Sequence, residues 1–168
     1  MLNRMFISRK SPFYLCLIGL IGGCVSGNEK LQFFSFSNGW PQHEEVEFRF
    51  TPEKINAPAN LFLYLRNNDE YPFANIYLIT TLENPIGEKL VDTLSYTMAT
   101  PDGQWLGEGL LVHESKLWFK EAYRFRVVGE HRLTIKPAMR HNDHAESIDV
   151  LKGITEIGLG LEQISTKK

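Results

Sequence analysis

The chain has 168 residues and a formal net charge of −2, with 43% apolar and 12% aromatic residues. This length and apolar content are typical of one domain with a buried core. Nucleic-acid binding depends on basic patches, and no run of lysine and arginine follows the first ten residues. The composition therefore argues against a nucleic-acid partner.

The first 23 residues have the layout of a secretory signal peptide that a peptidase removes. Three basic residues and no acidic residue open the chain: Arg4, Arg9 and Lys10. The apolar run 13–21 is well short of the roughly 20 residues that a membrane-spanning helix needs. The segment ends in Ile21-Gly22-Gly23-Cys24, which resembles the bacterial lipobox. A lipobox implies that the thiol of Cys24 receives lipid and that cleavage after Gly23 makes Cys24 the first residue.

Cysteine usage supports lipidation. Cys16 lies in the segment that would be discarded, so the mature chain would hold Cys24 alone and form no internal disulfide. Acylation explains a lone thiol in an exported domain because it consumes the thiol; the alternative is a plain signal peptide with an incidental cysteine. We predict a removed signal at 1–23, a lipidated cysteine and tether at 24–30, and a folded domain at 31–168. Removal takes the net charge from −2 to about −5.

Alternating apolar and polar residues predict half-buried antiparallel strands beyond the tether, at 45–50, 123–127 and 132–136. The uniformly apolar runs 61–65 and 76–82 predict central strands that are covered on both faces. In the last run, 157–161, Gly158 and Gly160 leave room for another backbone or ring to pack closely.

Turn signals separate these runs at 84–87, 101–103 and 128–130. No window has a sustained helical stripe, and the only helical candidates are 137–142 and part of 114–120. The pattern predicts an all-β fold, a single antiparallel β-sandwich of jelly-roll or immunoglobulin-like type. Large rings beside glycines predict that Trp40 and Trp105 cap its edges, whereas Trp118 is expected in the core.

Two stretches offer metal ligands, and both favour other readings. His141, His144 and Glu146 could bind zinc, but the histidines are three residues apart in a polar stretch that is typical of a loop. The oxygen-rich run 67–70 suits calcium but lacks the spaced carboxylates and glycine of an EF-hand loop. Such runs usually form turns. We predict no metal and no cofactor.

The side chains also suggest two further functions, sugar binding and hydrolysis. Tyr71-Pro72-Phe73 could present rings beside amides to a sugar, or tuck the rings over one end of the sandwich. A hydrolase needs a nucleophile beside a base. Serines are present at 95, 115 and 147, but no Gly-x-Ser-x-Gly elbow or His-Glu-x-x-His motif accompanies them. We predict that the protein is not an enzyme.

Several stretches, taken in order, resemble a known family: Asn38-Gly39-Trp40; Leu65-Arg66-Asn67-Asn68-Asp69 with Tyr71-Pro72; Asp92-Thr93-Leu94 with Tyr96-Thr97-Met98-Ala99; Trp105-Leu106-Gly107-Glu108-Gly109; Ala138-Met139-Arg140; and Leu151-Lys152-Gly153-Ile154. This set, behind a lipobox, resembles the GldH family of gliding-motility lipoproteins of the Bacteroidota. The resemblance covers about residues 36 to 162.

The resemblance implies a lipid-anchored, non-catalytic envelope component that works with other gliding or type IX secretion proteins. It transfers no active-site residue, so only Cys24 is carried over. The alternative is a surface or periplasmic glycan-binding lipoprotein. Val25 follows the cysteine in place of aspartate, and Glu29 is the one acidic residue of the tether. These features favour the outer membrane and its periplasmic face.

If any surface binds a partner or ligand, we expect it to combine the loop 66–73 with the segment 138–144. Both stretches hold more polar and aromatic groups than packing requires. The candidate residues are Arg66, Asn67, Asn68, Asp69, Tyr71, Phe73, Arg140 and His141.

Overall fold

The structure, a computed structural model, describes residues 29–140 and 148–164. Every regular element within these ranges is a β-strand, so the all-β prediction is confirmed. The same residues include no helix with the length and apolarity to cross a membrane. The predicted signal segment, Cys24, and the candidate ligands His141, His144 and Glu146 lie outside the described ranges.

Ten strands form two four-stranded sheets and one short pair. The strands are β1 (Glu29–Ser35), β2 (Trp40–Pro41), β3 (Val46–Phe50), β4 (Pro58–Asn67), β5 (Asn75–Glu83), β6 (Lys89–Thr97), β7 (His113–Arg124), β8 (His131–Pro137), β9 (Val150–Leu151) and β10 (Ile154–Gln163). Sheet I has the order β1-β10-β4-β7, sheet II has the order β3-β8-β5-β6, and β2 pairs with β9. All pairings are antiparallel, which confirms the sandwich prediction.

The core lies between the two sheets because each strand turns its apolar side chains inward. Leu61, Leu63 and Leu65 of β4 are fully buried there. The intervening side chains of β4 are also buried, so the prediction of a strand covered on both faces is confirmed for 61–65. It is wrong for 76–82, because β5 buries only alternate residues and leaves Tyr77 exposed.

Local pattern was also misleading for the segment 114–120, a helical candidate that lies within β7. This segment pairs along β4, and the backbone hydrogen bonds of that pairing override a weak local signal. The other candidate, 137–142, begins at the last residue of β8, and no helix follows in the described part, 138–140. At the N-terminal end, β1 begins at Glu29, within the segment expected as tether, and pairs Glu29 with Glu162.

One core position carries a titratable ring. His131 is buried between Phe50 and Phe125, with ring centroids 5.8 and 4.8 Å away. Its Nδ1 lies 3.1 Å from the carbonyl oxygen of Gly129, which can only accept, so this nitrogen carries the proton of the neutral ring. Burial lowers the pKa of His131, and the hydrogen bond to Gly129 opposes this in part.

This lowered pKa predicts that acid weakens the fold. Below about pH 6.5 the histidine binds a proton in the unfolded chain before it does so in the folded one. The free energy of unfolding should therefore fall between pH 7.5 and 5.5, and His131→Phe, which keeps a ring, should flatten that fall. Urea unfolding across this pH range measures both. Exposed His43→Gln is the control, and an equal flattening there would contradict the assignment.

Candidate interaction surface

The outer faces of the two sheets have opposite character. Sheet II presents charged side chains that pair along and between its strands. Arg132 reaches Glu83 at 2.7 Å and Glu47 at 3.4 Å, and Arg49 reaches Glu47 at 2.7 Å. A face of this kind retains its hydration, since exposed ion pairs gain little and charges are costly to desolvate.

The outer face of sheet I is aromatic. Phe62 and Tyr64 point outward from β4, are not part of the core, and are still 5% and 6% exposed. Phe33 of β1 covers Tyr64 at a centroid distance of 5.9 Å, and Trp118 of β7 covers Phe62 at 4.4 Å. The exposed outer rings therefore shield the inner ones from water.

Phe33 reaches across the sheet because β10 offers no side chain at the intervening position. Gly158 pairs with Phe33 on one side and Tyr64 on the other. A Cβ atom at Gly158 would lie 2.7 Å from the Phe33 ring, which is closer than real contacts allow. The prediction that Gly158 admits a closely packed ring is confirmed.

Two cationic side chains lie over the rings of this face. Lys116 lies over the Phe62 ring at 4.0 Å and pairs with Glu162 at 2.5 Å. Arg66 lies over the Phe33 ring at 4.4 Å. Such cation–π contacts contribute about 0.5–1 kcal/mol at exposed sites.

Carboxylates hold Arg66 in that position. Its side chain pairs with Glu114 at 2.6 Å and also with Glu156. The hydrogen bond to Glu114 is the main reason that the pKa of Arg66 is raised, so the guanidinium remains charged.

We call Leu31, Phe33, Phe62, Tyr64, Lys116 and Trp118 the aromatic face. Its outer members remain open to solvent: Leu31 is 49%, Phe33 37% and Trp118 54% exposed. Trp118 was expected in the core, and that expectation is wrong because its side chain points away from sheet II. The run Leu117-Trp118-Phe119 hides the strand alternation, since all three residues are apolar.

A hairpin loop stands beside the aromatic face. Glu108 and Glu114 exchange two backbone hydrogen bonds, which closes the loop 109–113. Leu110 is 93% and Leu111 84% exposed at its tip. The loop forms one wall of an open cleft of about 710 Å³, whose floor includes the outward groups of Ser35, Arg66, Glu114 and Glu156. The loop and the aromatic face therefore lie on the same side of the sandwich.

The sequence-predicted loop 66–73 is more closely packed than an open binding surface. Asn67 and Tyr71 are 1% and 2% exposed. Burial raises the pKa of the Tyr71 hydroxyl, which donates a hydrogen bond to the carbonyl of Asn75 at 2.8 Å. Asn68 forms a turn by accepting from the backbone of Glu70 at 3.0 Å. The rings of this loop pack over an end of the sandwich, and only part of the loop is open to contact.

The members open to solvent lie at the end of the sandwich where β4 ends and β5 begins. The carboxyl group of Asp69 projects into solvent, and Arg140 is exposed. Phe73 is half-buried against the core. The backbone nitrogen of Ala138 donates to Tyr77, so the segment 138–140 lies alongside the start of β5. The two predicted stretches are thus at the same end of the fold, and His141 lies outside the described residues.

Asp69 anchors a small polar cluster that sequence analysis had not identified. Its carboxylate accepts from Trp105 Nε1 at 2.9 Å and lies 3.3 Å from His113 Nε2. The Trp105 and His113 rings stack at 5.8 Å. Ser115 follows two residues along β7, but its buried hydroxyl makes no hydrogen bond. The contact between nucleophile and base that a catalytic triad needs is therefore not made here.

Metal ligands do not converge in the part of the chain that the structure describes. No three histidine, cysteine, aspartate or glutamate side chains approach closely enough there to hold an ion. In the calcium candidate 67–70, the carboxylate of Asp69 and the carbonyl of Asn68 are used within the protein.

The chain matches the family model described as GldH lipoprotein over residues 31–161. The chain belongs to the GldH lipoprotein family. The gliding motility lipoprotein GldH homolog of Christiangramia forsetii is 38% identical over 125 residues, which cover 74% of this chain and 77% of that protein. The gliding motility lipoprotein GldH of Flavobacterium johnsoniae is 38% identical over 133 residues, 79% of this chain and 82% of that one.

Among solved structures, one of infectious bursal disease virus, Gx strain, aligns over 80% of this chain and 32% of its own. Its 9% identity and TM-score of 0.39 make the likeness too weak to bear on function.

The GldH match extends from β1 to β10, so the aromatic face and the hairpin loop both lie within the family region. The resemblance read from the ordered motifs is confirmed. The aromatic face, by contrast, was missed. Its sequence signals were Gly158 and Gly160, which lie opposite outward-pointing rings of the neighbouring strands. These glycines become informative only once the neighbouring strands are known.

The packing of loop 66–73 predicts unequal effects of two glycine substitutions. Gly153 has φ +78°, and a Cβ atom there would overlap the backbone nitrogen of Tyr71. Gly103 has φ +87° with nothing near it. Gly103→Ala should cost about 1–2 kcal/mol for backbone strain. Gly153→Ala should cost at least about 2 kcal/mol more because the loop must move. Urea unfolding of both variants tests this, and equal losses would contradict it.

A second prediction concerns Gly158. Gly158→Ala should reduce the unfolding free energy by about 1–3 kcal/mol because the added methyl displaces the Phe33 ring. Much of that loss should be absent when Phe33→Ala has already removed the ring. A double-mutant cycle by urea unfolding measures the coupling, and strictly additive losses would show that the ring and the glycine are independent.

Proposed function

We propose that this protein is a lipid-anchored, non-catalytic component of the envelope machinery for gliding, linked to type IX secretion. The observation that carries the proposal is the GldH family match over 31–161, directly behind the lipobox that ends at Cys24. Both relatives of 38% identity are named as gliding motility lipoproteins or a homolog of one.

Anchoring is proposed at Cys24. A single acyl chain holds a protein to a membrane only marginally, whereas two chains hold it stably. The lipobox pathway supplies a diacylglycerol, so the attachment would be durable. The residue after the cysteine is Val25, and the tether holds a single acidic residue, Glu29. These features support a place in the outer membrane, on its periplasmic face.

A role without catalysis is supported by the contacts of the carboxylates and the His113 ring, which are engaged with other side chains of the described residues. Two carboxylates of the cleft, Glu114 and Glu156, pair with Arg66, and the His113 ring contacts Asp69 and Trp105. These arrangements orient and stabilise side chains. The exposed apolar groups, by comparison, suit contact with another macromolecule.

Within this role, we place a partner contact at the end of the sandwich formed by Asp69, Phe73 and Arg140. These side chains combine a carboxylate, a ring and a guanidinium in two stretches that lie near the start of β5. Mixed surfaces of this kind are typical of the rim of protein interfaces. The buried members of the predicted set, Asn67 and Tyr71, would support the loop without touching the partner.

Glycan binding is the second candidate because Trp118 is 54% exposed and packs on Phe62, the ring over which the Lys116 ammonium group lies. A sugar-binding site combines such a ring with hydrogen-bonding side chains. The exposed groups on this side include Leu31, Leu110 and Leu111, whose side chains offer no hydrogen bonds, and the cations Lys116 and Arg66 are already paired with carboxylates. The aliphatic content favours a protein or lipid contact over a sugar.

The test is a crosslinking pull-down from native envelopes followed by mass spectrometry. Wild type is compared with Cys24→Ala, which removes the anchor, and with Cys16→Ala, a cysteine change within the predicted signal segment. We expect gliding or secretion proteins to be recovered with wild type and Cys16→Ala, and to fall at least tenfold with Cys24→Ala. Labelling with a tagged fatty acid should follow the same pattern.

Two results would count against the proposal. Equal recovery from Cys24→Ala would show that membrane placement is unnecessary. Failure to recover any envelope protein, together with retention of the purified protein on a glycan array, would favour the glycan-binding role.

A further inference from the structure

One side of the sandwich carries several of the largest exposed apolar side chains of the described residues, although Tyr77 and Val91 are exposed on sheet II. Leu31, Phe33 and Trp118 lie on the outer face of sheet I, and Leu110 and Leu111 project from the loop beside it. Gly109 and Val112 of the loop line one cleft with Ser35 and Arg66 of the outer face, so the loop and this face lie on the same side of the sandwich. Contiguous exposed apolar groups on a water-soluble fold mark a contact surface.

The proposed anchor restricts what that surface can meet. Five residue steps separate Cys24 from Glu29, the first residue of β1. A chain of that length spans at most about 17 Å. The start of β1 must therefore lie within this distance of the lipid headgroups. Leu31 and Phe33 follow only two and four residues after that start, so their face lies close to the membrane.

We propose that the aromatic face and the hairpin loop rest on the membrane that holds the Cys24 lipid, with the charged face of sheet II turned to water. This orientation rests on the proposed function, because it requires lipidation of Cys24. It places an exposed tryptophan and exposed leucines in the interfacial layer, where amphipathic rings and apolar groups are favoured. It also avoids desolvating Glu47, Arg132 and Glu83 on the opposite face.

The contact needs little intrinsic affinity. A short tether keeps the domain at high effective concentration near the bilayer, so a weak contact is populated without independent binding. The loop tip supplies the two most exposed apolar side chains of the surface, Leu110 and Leu111. Because they are almost fully exposed and take no part in the core, these groups can enter the interface without disturbing it.

Electrostatic attraction is a minor part of this contact. The cations on this side already have carboxylate partners: Lys116 pairs with Glu162, and Arg66 with Glu114 and Glu156. Net attraction to anionic lipids is therefore not expected. The contact should form on zwitterionic bilayers and should persist in high salt, unlike adsorption driven by charge.

An upright domain, standing on the Glu29 end of β1, is the competing geometry. The cleft and its loop adjoin Ser35, at the other end of this seven-residue strand. Seven residues of strand span about 20 Å, so an upright domain would hold Leu111 well above the bilayer. Leu31 would be near the membrane in either geometry. Leu111 is consequently the position that distinguishes them.

The experiment places a polarity-sensitive dye on single cysteines in the lipidated mature protein. Acylation consumes the Cys24 thiol and Cys16 is removed, so Leu111→Cys, Leu31→Cys and Val91→Cys each supply one reactive thiol. Val91 is 61% exposed on sheet II and is the matched control. The labelled proteins are reconstituted into phosphatidylcholine vesicles that contain lipids spin-labelled near the headgroup.

We expect quenching of the dyes at residues 31 and 111 to be at least threefold stronger than at residue 91, in low salt and in 0.5 M NaCl. Quenching at 111 no stronger than at 91 would overturn the proposal in favour of an upright domain. A dye at 111 that meets water in vesicles but is shielded in native envelopes would overturn it in favour of a protein partner. The mass of the mature chain distinguishes failure of this orientation from failure of the proposed function. An unlipidated Cys24 would refute the proposed function itself.

Discussion

The outer surface of sheet I depends on the contact between the Phe33 ring and Gly158. Any side chain at residue 158 would occupy the space of that ring. Without the ring, Tyr64 would lose its cover and Arg66 would lose the surface over which its guanidinium lies. One absent side chain in β10 therefore lets groups from the two flanking strands, β1 and β4, pack together. Glycine in a strand interior normally weakens it, and here the cross-strand ring compensates for that loss.

This arrangement makes the two sides of the sandwich chemically different. Both sheets contribute to the core, but the outer face of sheet II carries paired charges beside Tyr77 and Val91, whereas that of sheet I carries rings and aliphatic groups. A domain that worked only as a soluble spacer would gain nothing from exposing Trp118 and two leucines. This difference in polarity is the basis of the orientation that we propose for the tethered domain at the membrane.

At the end of the sandwich, one loop holds both buried packing residues and the exposed residues of the proposed partner contact. Tyr71 is buried and fixed by Asn75, and Gly153 lets the chain pass close to its backbone. Asp69 is held by Trp105 and yet faces solvent. The buried half of the loop thus sets the position of the exposed half. A surface built in this way is preformed, which reduces the entropy cost of meeting a partner.

Sequence by itself determined the all-β class, the inward faces of β3 and β8, the coverage of β4 on both faces, the packing role of Gly158, and the family, because residue patterns and motif order are local properties of the chain. It also predicted the lipidated Cys24, which remains a prediction. It misassigned 114–120 and Trp118, where three consecutive apolar residues conceal which side chain faces the core. Only the tertiary structure decided which residues are neighbours across strands. The aromatic face, the Asp69 cluster and the shared side of the hairpin loop depend on contacts between residues far apart in the chain, and no local pattern encodes those contacts.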